Sequence, residues 1–213
     1  MATTTTKRRA RARRGEGDKL RSEILGAAQR LLLDTGDEEA VSIRAVADAV
    51  GVTPPSIYLH FADKEELLYA ICRKLFEELD ELFQSEVSNS STPLQSLLIR
   101  GRAYVRFGLE HPEHYRIMFM RKRDPIVEAR HSEEDIPVFD HLVDDVRRCM
   151  EAGVVPQGDP LPGALALWSV VHGLTSILIS NKQMPGLHDN LDALIDYHLA
   201  VGLLGIQNAA QPG

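Results

Sequence analysis

The stretch Ser42–Leu68, SIRAVADAVGVTPPSIYLHFADKEELL, leaves this chain few choices. Ile43, Val46, Ala47 and Val50 recur at helical spacing, so residues 43–50 read as a short helix with one apolar face. Ser42 precedes it, where a hydroxyl can accept from an orphan backbone N–H. Gly51 follows, where a left-handed residue ends a helix without steric cost. Thr53 reads as the cap of a second helix and Pro54 as its first residue, where a missing N–H loses nothing. That helix runs no further than about His60. Asp63, with Glu66 three residues later, is a capping box that opens a third, longer helix. Two helices joined by a Gly-containing turn, the second short and polar on its outer face, make a helix-turn-helix pattern.

Two strings within this block, IRAVADAVGV and IYLHFADKEELL, carry a small residue, a Tyr, an aromatic and a Lys at fixed offsets. The block resembles the DNA-binding signature of the tetracycline-repressor (TetR) family over about Leu20 to Leu79. Asp37, after Gly36, departs from the family, which has an aromatic or apolar residue there. The resemblance implies that Tyr58 and His60 touch the phosphate backbone. It implies the same for Lys64, at the head of the next helix, where the N-terminal dipole favours an anion. The plainer readings are a half-buried Tyr58, a turn residue at His60 and a Lys64 paired with nearby carboxylates.

Residues 53–60 are the segment expected in the major groove. Thr53, Pro55, Ser56 and Tyr58 face outward and Ile57 inward, and Pro54 at the head of the helix is a further candidate contact. Thr and Ser hydroxyls read base edges or phosphates, and proline carbons touch thymine methyls. Ser42, chiefly a cap, and Arg44 are the remaining candidate contacts. A recognition helix without Arg, Asn or Gln is poor in bidentate base readers. Specificity therefore leans on Arg44, van der Waals contact and DNA shape.

The formal charge of −7 speaks against a polyanionic partner until it is divided along the chain. Residues 1–64 hold eleven Lys/Arg against nine Asp/Glu, and the remainder holds thirteen against twenty-two. The positive side belongs to the part that would meet DNA. Residues 1–17 are Thr-rich and then basic, without apolar periodicity. They read as a disordered arm, either lying in the minor groove or attracting phosphates without order. The basic start is followed by no apolar run, so no secretory signal is expected. No stretch of about 18 apolar residues occurs, so no membrane span is expected. Cys72 and Cys149 have neither framework nor metal spacing and read as reduced, buried thiols of a bacterial cytoplasm.

The rest reads as helices: 18–34, 63–87, 93–110, 111–120, a partly helical charged connection over 121–132, then 133–152, 163–181 and 186–207. The expected fold is all-α. A three-helix helix-turn-helix domain (18–64) is joined by a long helix to a helical effector-binding and dimerisation domain (65–208), with a frayed tail at 209–213. The last two helices are strongly apolar and must be covered. The resemblance implies that two from each chain form a four-helix dimer interface, here given to Val171, Thr175, Leu178, Leu194, His198 and Val201; the plainer reading is a monomer core. The string Trp168–Gly173 (WSVVHG) and the preceding HPEHYRIMF resemble one branch of TetR-type C-terminal domains. Tyr104, Phe107, Tyr115, Met118, Phe119, Phe139, Trp168 and His172 are candidate lining of an apolar effector pocket, or ordinary core.

His111 with His114, and Asp140, His141, Asp144 and Asp145, invite a metal reading, but the spacing is that of no known motif. They read as solvated faces. With no Gly-rich phosphate loop and no nucleophile beside a base, an enzyme is not expected, nor a cofactor. The expected function is a ligand-responsive regulator, a repressor in the first instance. It would bind a palindromic operator as a homodimer and be released by a small, mostly apolar molecule. The alternatives are a helical ligand-binding protein and a non-specific DNA-coating protein, separated from a regulator by preference for one short palindrome.

Overall fold

The computed structural model describes residues 17–121, 124–131, 137–181, 186 and 189–209. The expected arm, apart from Gly17, and the tail beyond Ala209 lie outside them. Among the described residues, regular structure is helical throughout: α1 Gly17–Thr35, a single 3-10 turn at Glu38–Ala40, α2 Ile43–Val50, α3 Pro54–Tyr58, α4 Lys64–Val87, α5 Pro93–Glu110, α6 Pro112–Phe119, α7 Pro125–Arg130, α8 Pro137–Glu151, α9 Pro160–Ser180 and α10 Leu191–Asn208.

Caps set most of these boundaries. Thr92 accepts from the Gln95 N–H at 3.2 Å, and Pro93 opens α5. Asp159 accepts from Leu161 N–H at 3.0 Å with Pro160 at the first position, so α9 starts before the expected Gly163. Asn190 caps α10, which therefore starts later than the expected Gly186.

The chain packs as two compact units. One comprises the residues up to Leu75 together with Met120–Glu134. Its core is the apolar stripe of α1 (Leu20, Ile24, Ala27, Ala28, Leu32) with Val46, Ala47, Ile57, Phe61, Leu67, Leu68 and Ile71, all buried. Short α7 belongs to this unit through buried Val127, and Arg121 lies between Glu38 (2.8 Å) and Glu65 (2.6 Å). The other unit comprises Phe76–Phe119 and the residues from Asp135 onward. There α9 packs against α5, α8 and α10. Leu97, Val146, Cys149, Met150, Ala164, Leu167 and Ile206 form one continuous cluster. Both cysteines are buried, and desolvation pushes the Cys149 thiol up to about 11.

Contrary to expectation, α9 is long and apolar enough to meet the length and hydropathy of a membrane span, with a mean hydropathy of 1.6. Ser169, His172, Thr175 and Ser176 interrupt its apolar run. One face packs inward through Ala164, Leu167, Val171, Leu174 and Leu178.

Candidate DNA-binding surface and effector region

The helix-turn-helix is built by local chemistry. Ser42 accepts from Ala45 N–H at 3.1 Å, and Gly51 ends α2 at φ 77°. Thr53 does not cap α3 with its side chain, as the sequence suggested. Its hydroxyl pairs with the Ser56 hydroxyl at 2.9 Å, so both Oγ atoms are partly engaged with each other. Asp63 caps α4 through Glu66 N–H at 2.8 Å. The Glu66 carboxylate turns instead to His131 Nε2 (2.7 Å) and Arg130, so the reciprocal half of the box is replaced by a contact from α7.

On α3, Ile57 is fully buried and fastens the helix to the core of its unit. The rest faces out. Pro54 and Pro55 are exposed, Thr53, Ser56 and His60 are half-buried, and Tyr58 is 53% exposed. Leu59, which sequence reasoning passed over, is 83% exposed. A leucine at the end of an amphipathic run looks like core until the helix stops one residue before it. Arg44 is exposed on α2, and Ser42 is exposed while its hydroxyl caps. Lys64 is partly covered and sits 3.3 Å from Glu39, so a phosphate would have to draw it from a carboxylate. Asp37, at the departure from the family pattern, caps the 3-10 turn through Glu39 N–H at 2.9 Å, which is work an apolar residue could not do.

In the other unit six of the eight candidate pocket residues, Tyr104, Tyr115, Phe119, Phe139, Trp168 and His172, come together as one aromatic cluster. Tyr115 stacks on His172 with centroids 5.4 Å apart, and Phe119 and Trp168 stand 5.3 and 5.1 Å from it. Phe139 meets Trp168 edge-on at 5.9 Å. Tyr104, Phe107 and Met118 are buried, with Phe107 set against His111 and His114. The polar atoms satisfy each other. Trp168 Nε1 donates to Tyr104 Oη at 3.3 Å, and Tyr115 Oη donates to the His172 carbonyl at 3.0 Å. Tyr104 Oη lies 2.9 Å and Tyr115 Oη 2.8 Å from His172 Nδ1. The tautomer of the ring sets the direction of these two bonds, and burial favours the neutral imidazole. Desolvation lowers the His172 pKa, raises Tyr104 far above its ordinary value and pushes Tyr115 up to about 12.

The residues given to a dimer interface fall on two faces. Val171, Thr175 and Leu178 are buried within one chain, so they cannot supply an accessible contact. Leu194 and His198 are half-buried and Val201 is exposed. On α9 and α10 the exposed large apolar residues are Leu161, Leu165, Ile177, Tyr197, Val201 and Leu204. The expected solvated face at 140–145 also needs correction. Asp140 and Asp144 are exposed, but Asp145 is fully buried on Arg100, whose Nε donates to it at 2.6 Å.

Comparison with known proteins agrees with this arrangement in both units. Residues 24–71 match the family described as bacterial regulatory proteins, tetR family, and residues 97–201 match the tetracyclin repressor-like C-terminal domain. The chain belongs to the TetR family of transcriptional regulators. Among its relatives is the uncharacterised HTH-type transcriptional regulator YobS of Bacillus subtilis, 26% identical over 81% of this chain and 90% of YobS. The transcriptional repressor AcnR of Corynebacterium glutamicum is 27% identical over 81% of this chain and 88% of AcnR. A solved structure of a protein of unknown function from Rhodococcus sp. RHA1 superposes with a TM-score of 0.75 at 25% identity, covering 89% of this chain and 96% of that one.

Proposed function

We propose that this TetR-family regulator acts as a homodimeric repressor in the bacterial cytoplasm, placing α3 of each subunit in successive major grooves of a palindromic operator. The observation that carries the reading is the division of α3. Ile57 alone is buried, while Pro54, Pro55, Tyr58 and Leu59 are presented outward, as a helix must be to read a groove. The second copy fits the apolar residues left exposed on α9 and α10, where Leu161, Leu165, Ile177, Tyr197, Val201 and Leu204 would otherwise stand in water.

The effector is a small, mostly apolar molecule that parts the rings around His172 and takes hydrogen bonds from His172, Tyr104 or Tyr115. It favours the conformation in which the two recognition helices no longer match the half-site spacing, and α4 is the segment common to both units. The ligand shifts that equilibrium only by its difference in affinity for the two states. A tenfold loss of operator affinity takes about 1.4 kcal/mol of coupling.

Selection from a random DNA pool should return a palindrome. Tyr58→Ala and Lys64→Ala should then weaken binding to that site and to random DNA alike, with Lys64→Ala lowering the salt slope by about one. A change of sequence preference alone would remove these residues from the phosphate backbone.

A further inference from the structure

Between α4, α5 and α8 lies a cavity of about 300 Å³, lined by Gln84, Arg100, His141, Asp144, Arg147 and Arg148. Three guanidinium groups and an imidazole line it, and three carboxylates stand against them: Asp144 on Arg147, Asp145 on Arg100 and Arg148, and Asp80 on His141. Arg100 decides its character. The side chain is only 5% exposed, its Nε is committed to buried Asp145, and its Nη1 is buried with no hydrogen-bond partner. The guanidinium stands 5.7 Å over the Phe83 ring, but a ring face does not replace a hydrogen-bond acceptor, so the Nη1 donor is still held out of water at a cost. The supporting groups are already oriented. His141 Nδ1 lies 2.8 Å from Asp80 and 2.7 Å from the Gln84 amide, while Arg148 pairs with Asp145 and Arg147 with Asp144. Arg147 and Arg148 are about half exposed at the rim, where they can swing from these carboxylates to a ligand.

We infer that this cavity is an anion-binding site that takes the carboxylate or phosphate oxygens of a small ligand, with Arg100 at its floor and Arg147 and Arg148 at its mouth. Planar guanidinium groups match both kinds of oxygen pair, and a volume at the low end for ligand pockets suits a head group more than a long chain. That such an anion would also govern operator binding rests on the regulator reading above; the site itself does not.

The test is calorimetric titration of the full chain with pyrophosphate and with succinate, against neutral succinamide, at ionic strength matched with sodium chloride. Expected is saturable binding of one anion per chain and none of succinamide, with the better of the two anions naming phosphate or carboxylate as the source. The Arg147→Gln/Arg148→Gln double variant should bind at least tenfold more weakly while keeping its helical content in circular dichroism when no ligand is added. Arg100→Lys, which keeps the charge beside Asp145 and removes the paired donors, should abolish binding. Where that variant does not fold, the double variant decides. Absence of saturable heat with either anion, equal binding of succinamide, or full affinity in the double variant would overturn the site. Failure of the regulator reading shows separately, as loss of operator preference in the unliganded protein.

Discussion

Ile57 and Tyr58 are neighbours on one turn of α3, yet the first is fully buried and the second half exposed. Ile57→Ala should therefore cost about 2–5 kcal/mol by leaving a cavity under α3, read as a lower urea midpoint. Asp145 is the buried partner of Arg100, and Asp145→Ala would leave a guanidinium unpaired in the interior. The expected loss is about 3–5 kcal/mol in the same measurement.

His172 is held neutral by burial, with its pKa below the ordinary value of about 6.5. The folded protein then binds fewer protons at this ring than the unfolded chain. Stability is full above about pH 6.5 and falls as the pH drops from there toward the lowered value. Thermal midpoints between pH 8 and pH 5 should decline less for His172→Gln than for the native chain. An equal decline would place the proton uptake elsewhere, with His114, also lowered by burial and by His111, the next candidate.

At the scale of elements, α5 and α9 approach each other where Gly108 has no side chain. A Cβ there would stand 2.3 Å from Thr175 Cγ2 and 3.2 Å from the Tyr115 ring. Thr175 is buried and β-branched, so it has little freedom to yield. Gly108→Ala should cost about 1–3 kcal/mol by overpacking, seen in denaturant unfolding with helicity retained. Element starts and stops were legible where a cap or proline marks them, as at Ser42, Gly51, Asp63 and Pro93. They were misplaced for α9 and α10, because glycines at 163 and 186 looked like boundaries while Asp159 and Asn190 supplied the caps. The contacts of Arg121, Arg130 and His131 with Glu38, Asp63, Glu65 and Glu66 were not legible, since they join residues 56 or more positions apart.

For the whole molecule, the exposed apolar residues of α9 and α10 make association the expected state. Leu165→Glu with Val201→Glu should give the monomer mass in sedimentation equilibrium with unchanged helical content. A native chain that sediments as a monomer at micromolar concentration would end the dimer reading.

The amino-acid order alone determined the helical class, the helix-turn-helix and the inward-facing Ile57, because each rests on spacing and capping within a few residues. Tertiary structure decided which apolar stripe of α9 is covered, that Asp145 is buried on Arg100, and that the aromatic residues close around His172. Those outcomes depend on which helices lie against one another. A helix that is apolar on more than one side, like α9, carries no local mark of the face its neighbours will take.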